Sequence, residues 1–445
     1  MPSRRKVSLW YMANLKFRAL CGTILLIALL LRLGAVVAVR PWSDHYERSY
    51  LYADARIYHE LALSVQKEGI SERFRNKVAV FAPGYPVLLG IVYTLFGANL
   101  ILPILINVFF SVLTCLVLML VVRIAFDDRS AIVAGLLFAF HPHSIRFTTI
   151  LYSETLFMLL VSIFILGLLY IPQPDRRWIL GFVITSVAAS LGAFVRIGML
   201  YFSVLAVLFW LISHKTSWRF VAQRFSLFLL LYLICLSPWM IHNKIYHDTF
   251  RLSISGEYNL LALVVASAKA DNIDEFHRIK IELVGNAYSR AKQDNVKNVF
   301  DTSRYFLEIS IEEISKEPIR FILSQLKGIF NFWFRPVQAE STRVAGLIEG
   351  DRKIVYYIYY SYVYQLLLLM AWGTLFLTKG QISTAWKVLS VAAVIYFALT
   401  VGNAAYSRFF LQALPFIVPI AAVNIVGFFE WISRLMTAKI NRQSN

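Results

Sequence analysis

The segment "ALCGTILLIALLLRLGAVVAV", residues 19–39, decides the fold class. It is long enough to cross a bilayer core and is interrupted only by Arg32. It carries no small-residue cleavage site, so it reads as a retained anchor rather than a signal peptide. Similar apolar runs recur to the end of the 445 residues, and 58% hydrophobic against 16% charged residues excludes an ordinary soluble domain. Lipid cannot satisfy open backbone groups, so such runs predict a helical bundle rather than an open sheet. The expectation is an all-α polytopic membrane protein.

The net charge of +18 raises the question of nucleic acid. The basic residues argue otherwise, because they sit mainly in short loops between apolar spans and at the two ends. That is the positive-inside pattern, and some of the excess suits anionic lipid head groups. Cys21, Cys115 and Cys235 all fall inside apolar spans, so they predict packing residues rather than a disulfide framework.

Orientation follows from the basic loops. "RRK" and "KFR" keep residues 1–18 cytoplasmic, which puts 41–82 outside. "PGYPVLLGIVYTLFG" (83–97) is short for a crossing and reads as a juxtamembrane or re-entrant helix after a Pro/Gly turn. Further crossings are expected at 100–122, 131–149, 155–171, 178–195, 198–213 and 225–241, then at 354–377, 385–402 and 409–430. With the anchor this makes ten, and every basic loop then falls on the cytoplasmic side with both termini. Three regions follow: a membrane module 1–242 with a first outer loop 41–98, an outer polar and juxtamembrane region 243–353, and C-terminal membrane helices 354–445. In the middle region "SRYFLEISIEEISKEPIRFILSQLKGIFNFWF" (303–334) predicts helices lying on the surface.

On this topology the unusual polar residues gather at the outer end. Asp54 opens the helix "LYADARIYHELALSVQKEG" (51–69), with Tyr58, Leu61, Ala62 and Val65 on one face and Gly69 as its stop. A favoured N-cap is the plain reading of Asp54. Ser153 and Glu154 in "ILYSETLF" stand at the next outer turn, Arg146 precedes them, and Arg196 ends the fifth span. An acid in an apolar stretch costs about 3 kcal/mol at the bilayer centre, so Glu154 is functional or paired, with Arg146 or Arg196 as the structural partner. Tyr58, His59, Tyr85, His242, Asn243 and Tyr406 face the same side and are candidates for substrate contact. His141 and His143 flank Pro142 and read as packing residues rather than metal ligands.

Arginines offer bidentate donors to a phosphate and stay charged beside lipid, while a carboxylate can take a proton from an attacking hydroxyl. This combination suits sugar transfer from a polyprenyl phosphate, with Arg408, Arg196, Arg146, Lys77 and Arg75 as candidates for the phosphate. One base with direct displacement implies inversion at the sugar; a retaining route would need a second carboxylate as nucleophile.

The order "DARIYHELA", "APGYPVLLGIVYTLFG", "ILYSETLF", "SPWMIHNKIYHDTF" and "YSRFFLQALPFIVPIAA" resembles the GT-C superfamily of lipid-phosphate-sugar glycosyltransferases. It is most similar to bacterial members of glycosyltransferase family 39, relatives of the lipid A aminoarabinose transferase and of the protein O-mannosyltransferases. The resemblance implies a GT-C-type bundle in the bacterial inner membrane with a periplasmic active site. It implies Asp54 as the catalytic acid of the first loop, Glu154 as the acid of the next turn, and Arg408 as the arginine before the last span. It also implies a polyprenyl-phosphate sugar as donor and a lipid-linked or protein acceptor. Phe81 and Ala82 stand where that family carries a basic residue, which leaves the phosphate ligand open among Arg75, Lys77 and the arginines. Ala55 and Arg56 follow Asp54 where metal-binding members carry a second acid, so metal independence is favoured over a divalent ion. The alternatives are a lipid-linked glycan polymerase or ligase, and a transporter or flippase. The clustering of polar residues at one end counts against transport.

Overall fold

The computed structural model describes residues 4–173, 175–214, 217–335, 352–374 and 382–443. Among these the chain is helical, with no strand. It opens with α1 (Arg4–Val39), followed by four shorter helices: α2 (Asp44–Tyr50), α3 (Ala53–Glu68), α4 (Glu72–Val80) and α5 (Gly84–Phe96). The bundle continues through α6 (Ile101–Ala125), α7 (Asp128–Ala139), α8 (Pro142–Arg146), α9 (Glu154–Tyr170), α10 (Arg177–Val195), α11 (Gly198–Ser213) and α12 (Trp218–His247). A polar layer is built from α13 (Ser255–Asn259), α14 (Ala266–Lys269), α15 (Ile273–Gln293), α16 (Ser303–Lys316) and α17 (Pro318–Phe334). The chain then returns to the bundle as α18 (Arg352–Gly373), α19 (Thr384–Leu399), α20 (Ser407–Phe410) and α21 (Leu414–Gln443).

Five segments are long and apolar enough to cross a membrane: Lys16–Val39, Ile101–Ala125, Arg177–Val195, Trp218–His247 and Leu414–Ala438. The apolar helices α9, α11 and α19 are shorter, and they pack against these long ones. Each expected crossing is largely helical, although residues 375–377 of the eighth, and 336–351 of the polar region, lie outside the described residues. As expected, 84–96 forms a short helix, and it packs on α3. Close packing in the bundle rests on small residues: a methyl group on Gly181 would lie 2.5 Å from Tyr170 Cβ, where α9 and α10 approach.

Two crossings differ from the sequence expectation. The third, 131–149, is not one helix. Pro142 has no N–H to give and its ring clashes with the preceding turn, so α7 stops at Ala139 and α8 begins at Pro142. His141 caps the new helix, its Nδ1 accepting from the Ser144 amide at 3.1 Å, while His143 Nδ1 lies 2.8 Å from the Tyr357 hydroxyl. Both histidines thus have packing and capping roles. The tenth crossing starts at Leu414 rather than 409, because a separate turn, α20, carries Arg408 across the end of the bundle.

The break in the third crossing explains Arg32. Ending α7 inside the bundle takes away the helical partners of its last carbonyls. Arg32, fully buried on α1, donates to the Ala139 carbonyl at 3.2 Å and the Phe138 carbonyl at 3.3 Å. It also donates to Ser111 Oγ at 2.6 Å, Ser144 Oγ at 3.1 Å and the Ala28 carbonyl at 3.0 Å. Arg32→Leu would leave the buried Ala139 carbonyl without a partner, since the Phe138 carbonyl still accepts from the His141 amide and Ser144 Oγ, so a loss of about 1–3 kcal/mol is expected. Thermal unfolding in detergent, compared with an exposed Arg219→Leu control, measures it.

Candidate active site

Four charged side chains meet at one end of the bundle. Glu154 lies in the first turn of α9, where the positive helix end favours an acid. Arg196 stands at the C-terminal cap of α10, where the negative end favours a cation. Arg408 comes from α20 and Asp54 from the first turn of α3. Arg408 Nη2 donates to Asp54 Oδ2 at 2.6 Å, and its Nε donates to Glu154 Oε1. Arg196 Nη2 donates to the same Glu154 oxygen. Two acids and two arginines make the cluster neutral.

The members differ in exposure. The Glu154 side chain is 0% exposed, Arg408 8% and Arg196 15%, whereas Asp54 is 30% exposed. Asp54 is therefore the carboxylate that an outside molecule can reach. Glu154 Oε2 is buried with no hydrogen-bond partner. Arg408 lies over the Tyr152 ring at 4.1 Å, and Arg196 sits 6.0 Å from the rings of both Phe157 and Phe409. These faces exclude water and hold the guanidinium planes.

Asp54 is not the N-cap that its sequence position invites. Tyr52 occupies the cap, and Ala53 enters the helix with φ +46°, a left-handed conformation that a non-glycine residue adopts at a cost. That turn aims Asp54 at Arg408 instead of at its own helix. The rest of the helix follows expectation: Tyr58, Leu61 and Ala62 are buried, and Gly69 closes it with φ +64°.

Burial alone would push the Asp54 carboxyl up. The Arg408 charge and hydrogen bond outweigh it, with Arg196 and Lys280 adding to the field, and hold it below the usual carboxylate range. The folded value lies below the unfolded one, so the Asp54 contribution to stability is complete above about pH 4 and is lost as pH falls through the folded value. The carboxylate stays ionised across neutral and mildly acidic solution. Any activity that needs the ionised carboxylate is therefore expected to fall only below about pH 4, and a pH–rate limb near pH 6 would place that requirement elsewhere.

Of the residues singled out from sequence, Asp54, Glu154, Arg196 and Arg408 are brought together, with Tyr406 buried beside them and edge-on to Phe409 at 5.1 Å. Tyr58 follows Asp54 by one turn and packs edge-on to Tyr85 at 5.4 Å. Tyr85 itself is bonded to Asn107, which also accepts from Thr155 at 2.9 Å, so this pair supports the floor of the site. The others are held away from the four charges. Arg146 lies 5.6 Å from the Tyr357 ring rather than on Glu154. Lys77 pairs with Glu60 at 3.1 Å, and Arg75 covers the Tyr246 ring at 4.1 Å. His59 bonds the Tyr93 hydroxyl at 2.8 Å. His242 stacks on Trp239 at 4.7 Å, and Asn243 donates to the Arg251 carbonyl at 2.8 Å, anchoring the end of α12.

Sequence reasoning missed Tyr152 and Lys280. Tyr152 stands inside a quoted motif, two residues before Glu154, and that proximity was its one signal in the sequence. Lys280 gave no signal, being one lysine on an amphipathic helix. Among the described residues no group of three His, Cys, Asp or Glu side chains is arranged to hold a metal. Both acids of the cluster are already engaged by guanidinium groups, a poor donor set for a divalent ion.

The sequence model of the dolichyl-phosphate-mannose-protein mannosyltransferase family matches residues 81–242. No curated protein matches the chain. Among solved structures, the archaeal oligosaccharyltransferase AglB from Archaeoglobus fulgidus, in complex with an inhibitory peptide and a dolichol-phosphate, aligns with a TM-score of 0.52 at 13% identity. That alignment covers 95% of this chain and 52% of the archaeal one, so the chain spans about half of that protein. The Archaeoglobus fulgidus oligosaccharyltransferase tethered with an acceptor peptide gives 0.51 at 12% identity, covering 92% and 50%. ArnT from Cupriavidus metallidurans bound to undecaprenyl phosphate gives 0.43 at 13%, covering 94% and 78%. Over the shared length the fold is of the GT-C type seen in the archaeal oligosaccharyltransferase.

Proposed function

We propose that this GT-C-type chain is an inverting glycosyltransferase. It moves a sugar from a polyprenyl-phosphate donor to an acceptor hydroxyl at the outer face of the membrane. The observation that carries the reading is the Asp54–Arg408–Glu154–Arg196 cluster, in which one carboxylate is accessible and is held ionised. Basic residues at the opposite end of the bundle, among them Arg123, Arg129 and Arg177, support the cytoplasmic assignment of that end.

Asp54 takes the proton of the acceptor hydroxyl as that oxygen attacks C1. The C1–phosphate bond breaks on the opposite side, its electron pair stays on the phosphate oxygen, and polyprenyl phosphate leaves. Direct displacement inverts the anomeric centre, because Glu154 is buried beneath two arginines and is not placed as a nucleophile. Arg408 exchanges part of its contact with Asp54 for the leaving phosphate, which frees the base and stabilises the growing negative charge together. Glu154 holds both arginines through that exchange.

The test uses full-length protein in nanodiscs, a panel of polyprenyl-phosphate sugars, and membrane lipid extract as acceptor source. Mass spectrometry is expected to find polyprenyl phosphate released from at least one donor. If every donor stays intact with acceptor extract present, while vesicle assays show the same lipids crossing the bilayer, the transferase reading falls to transport.

A further inference from the structure

A cleft of 400 Å³ opens beside the site, between the end of α4 and the polar layer. Phe81, Lys77 and Asn76 form one wall, and Tyr258, Val284 and Tyr288 the other. It joins the cluster through Phe81 and Tyr58. Phe81 lies edge-on to Tyr58 at 6.5 Å, and Tyr58 is one helical turn from Asp54. From the opposite wall, Lys280, Val284 and Tyr288 follow at fourth positions along one face of α15. That stripe runs from the charge field of Asp54 into the cleft.

The two tyrosines are fixed from behind. Tyr258 and Tyr288 both stand perpendicular to the fully buried Phe306, at 5.6 Å and 5.4 Å. Their rings are therefore ordered before anything binds, which lowers the entropy lost on binding. Tyr288 is 43% exposed, too open for a core residue that serves packing alone. At the rim the Lys77–Glu60 pair, 3.1 Å apart, offers a donor and an acceptor side by side.

We propose that this cleft is the acceptor subsite and that its occupant is a pyranose ring of a glycan, whose hydroxyl reaches Asp54. This rests on the transferase reading. A pyranose has an apolar C–H face that lies on aromatic rings and a polar edge of hydroxyls for the Lys77, Glu60 and Asn76 side chains. The volume falls in the range of about 300–1,000 Å³ typical of small-molecule sites. An extended peptide is disfavoured, because both walls are helical and their main-chain donors are spent internally. A lipid tail would desolvate the rim charges without replacing their partners.

Saturation-transfer NMR on the full chain in nanodiscs tests this with a panel of methyl pyranosides and a Ser/Thr-containing peptide. At least one pyranoside is expected to receive saturation, with a Kd weakened about tenfold by Tyr288→Ala and within twofold of wild type for Tyr288→Phe. The proposal is overturned if the peptide is saturated and no pyranoside is, or if Tyr288→Ala binds as wild type does. Failure of the transferase reading shows separately, as donor turnover that survives Asp54→Asn.

Discussion

Asp54→Asn is expected to slow donor turnover by about 10³-fold while leaving the protein inserted and folded. General-base catalysis contributes about 10²–10⁴-fold, and an amide keeps the shape of the carboxylate while losing the proton acceptor. The fold should tolerate the change. Both arginines keep their bonds to the buried Glu154, and the positive charge left in excess faces the partly exposed Asp54 position, where water reaches it. A stability loss of about 1 kcal/mol or less is expected for a partly solvated pair. The measurement pairs initial rates of polyprenyl phosphate release with a thermal melt of the same preparation. A normal melt with a rate within threefold of wild type would remove Asp54 from the chemistry.

How far the sequence carried this picture varied from residue to residue. The crossings were legible because lipid imposes length and hydropathy on each span directly, and that signal is local. The broken third span was less so: Pro142 announced an interruption, but nothing local showed that Arg32, over a hundred positions earlier, would satisfy the freed carbonyls. Asp54 and Glu154 were legible as acids in costly places. Their partners were not, since Arg408 lies 354 positions from Asp54 and 254 from Glu154. Arg146 and Arg196 were equal candidates for Glu154 until the helix ends were fixed in space, and Arg196 alone faces it. The first turn of α3 shows the same limit: composition favoured a cap at Asp54, and one left-handed residue at Ala53 turned that side chain elsewhere.

Glu154→Gln should produce the largest loss of stability at the site. Glu154 Oε1 accepts from Arg408 Nε and Arg196 Nη2, and the side chain is wholly buried. Removing its charge leaves two guanidinium groups facing Asp54 alone, one buried positive charge in excess. Breaking a buried pair in this way costs about 3–5 kcal/mol, because the remaining ion is neither solvated nor compensated. Activity should fall as well, since Arg408 is drawn fully onto Asp54 and competes for the base. A second substitution separates charge balance from shape. Adding Arg196→Met restores neutrality, leaving only the Asp54–Arg408 pair beside a glutamine, so the double variant should melt above Glu154→Gln alone. A coupling of about 1–3 kcal/mol is expected for groups that share one oxygen. Additive losses from the two changes would mean that Glu154 acts through packing and not through its charge.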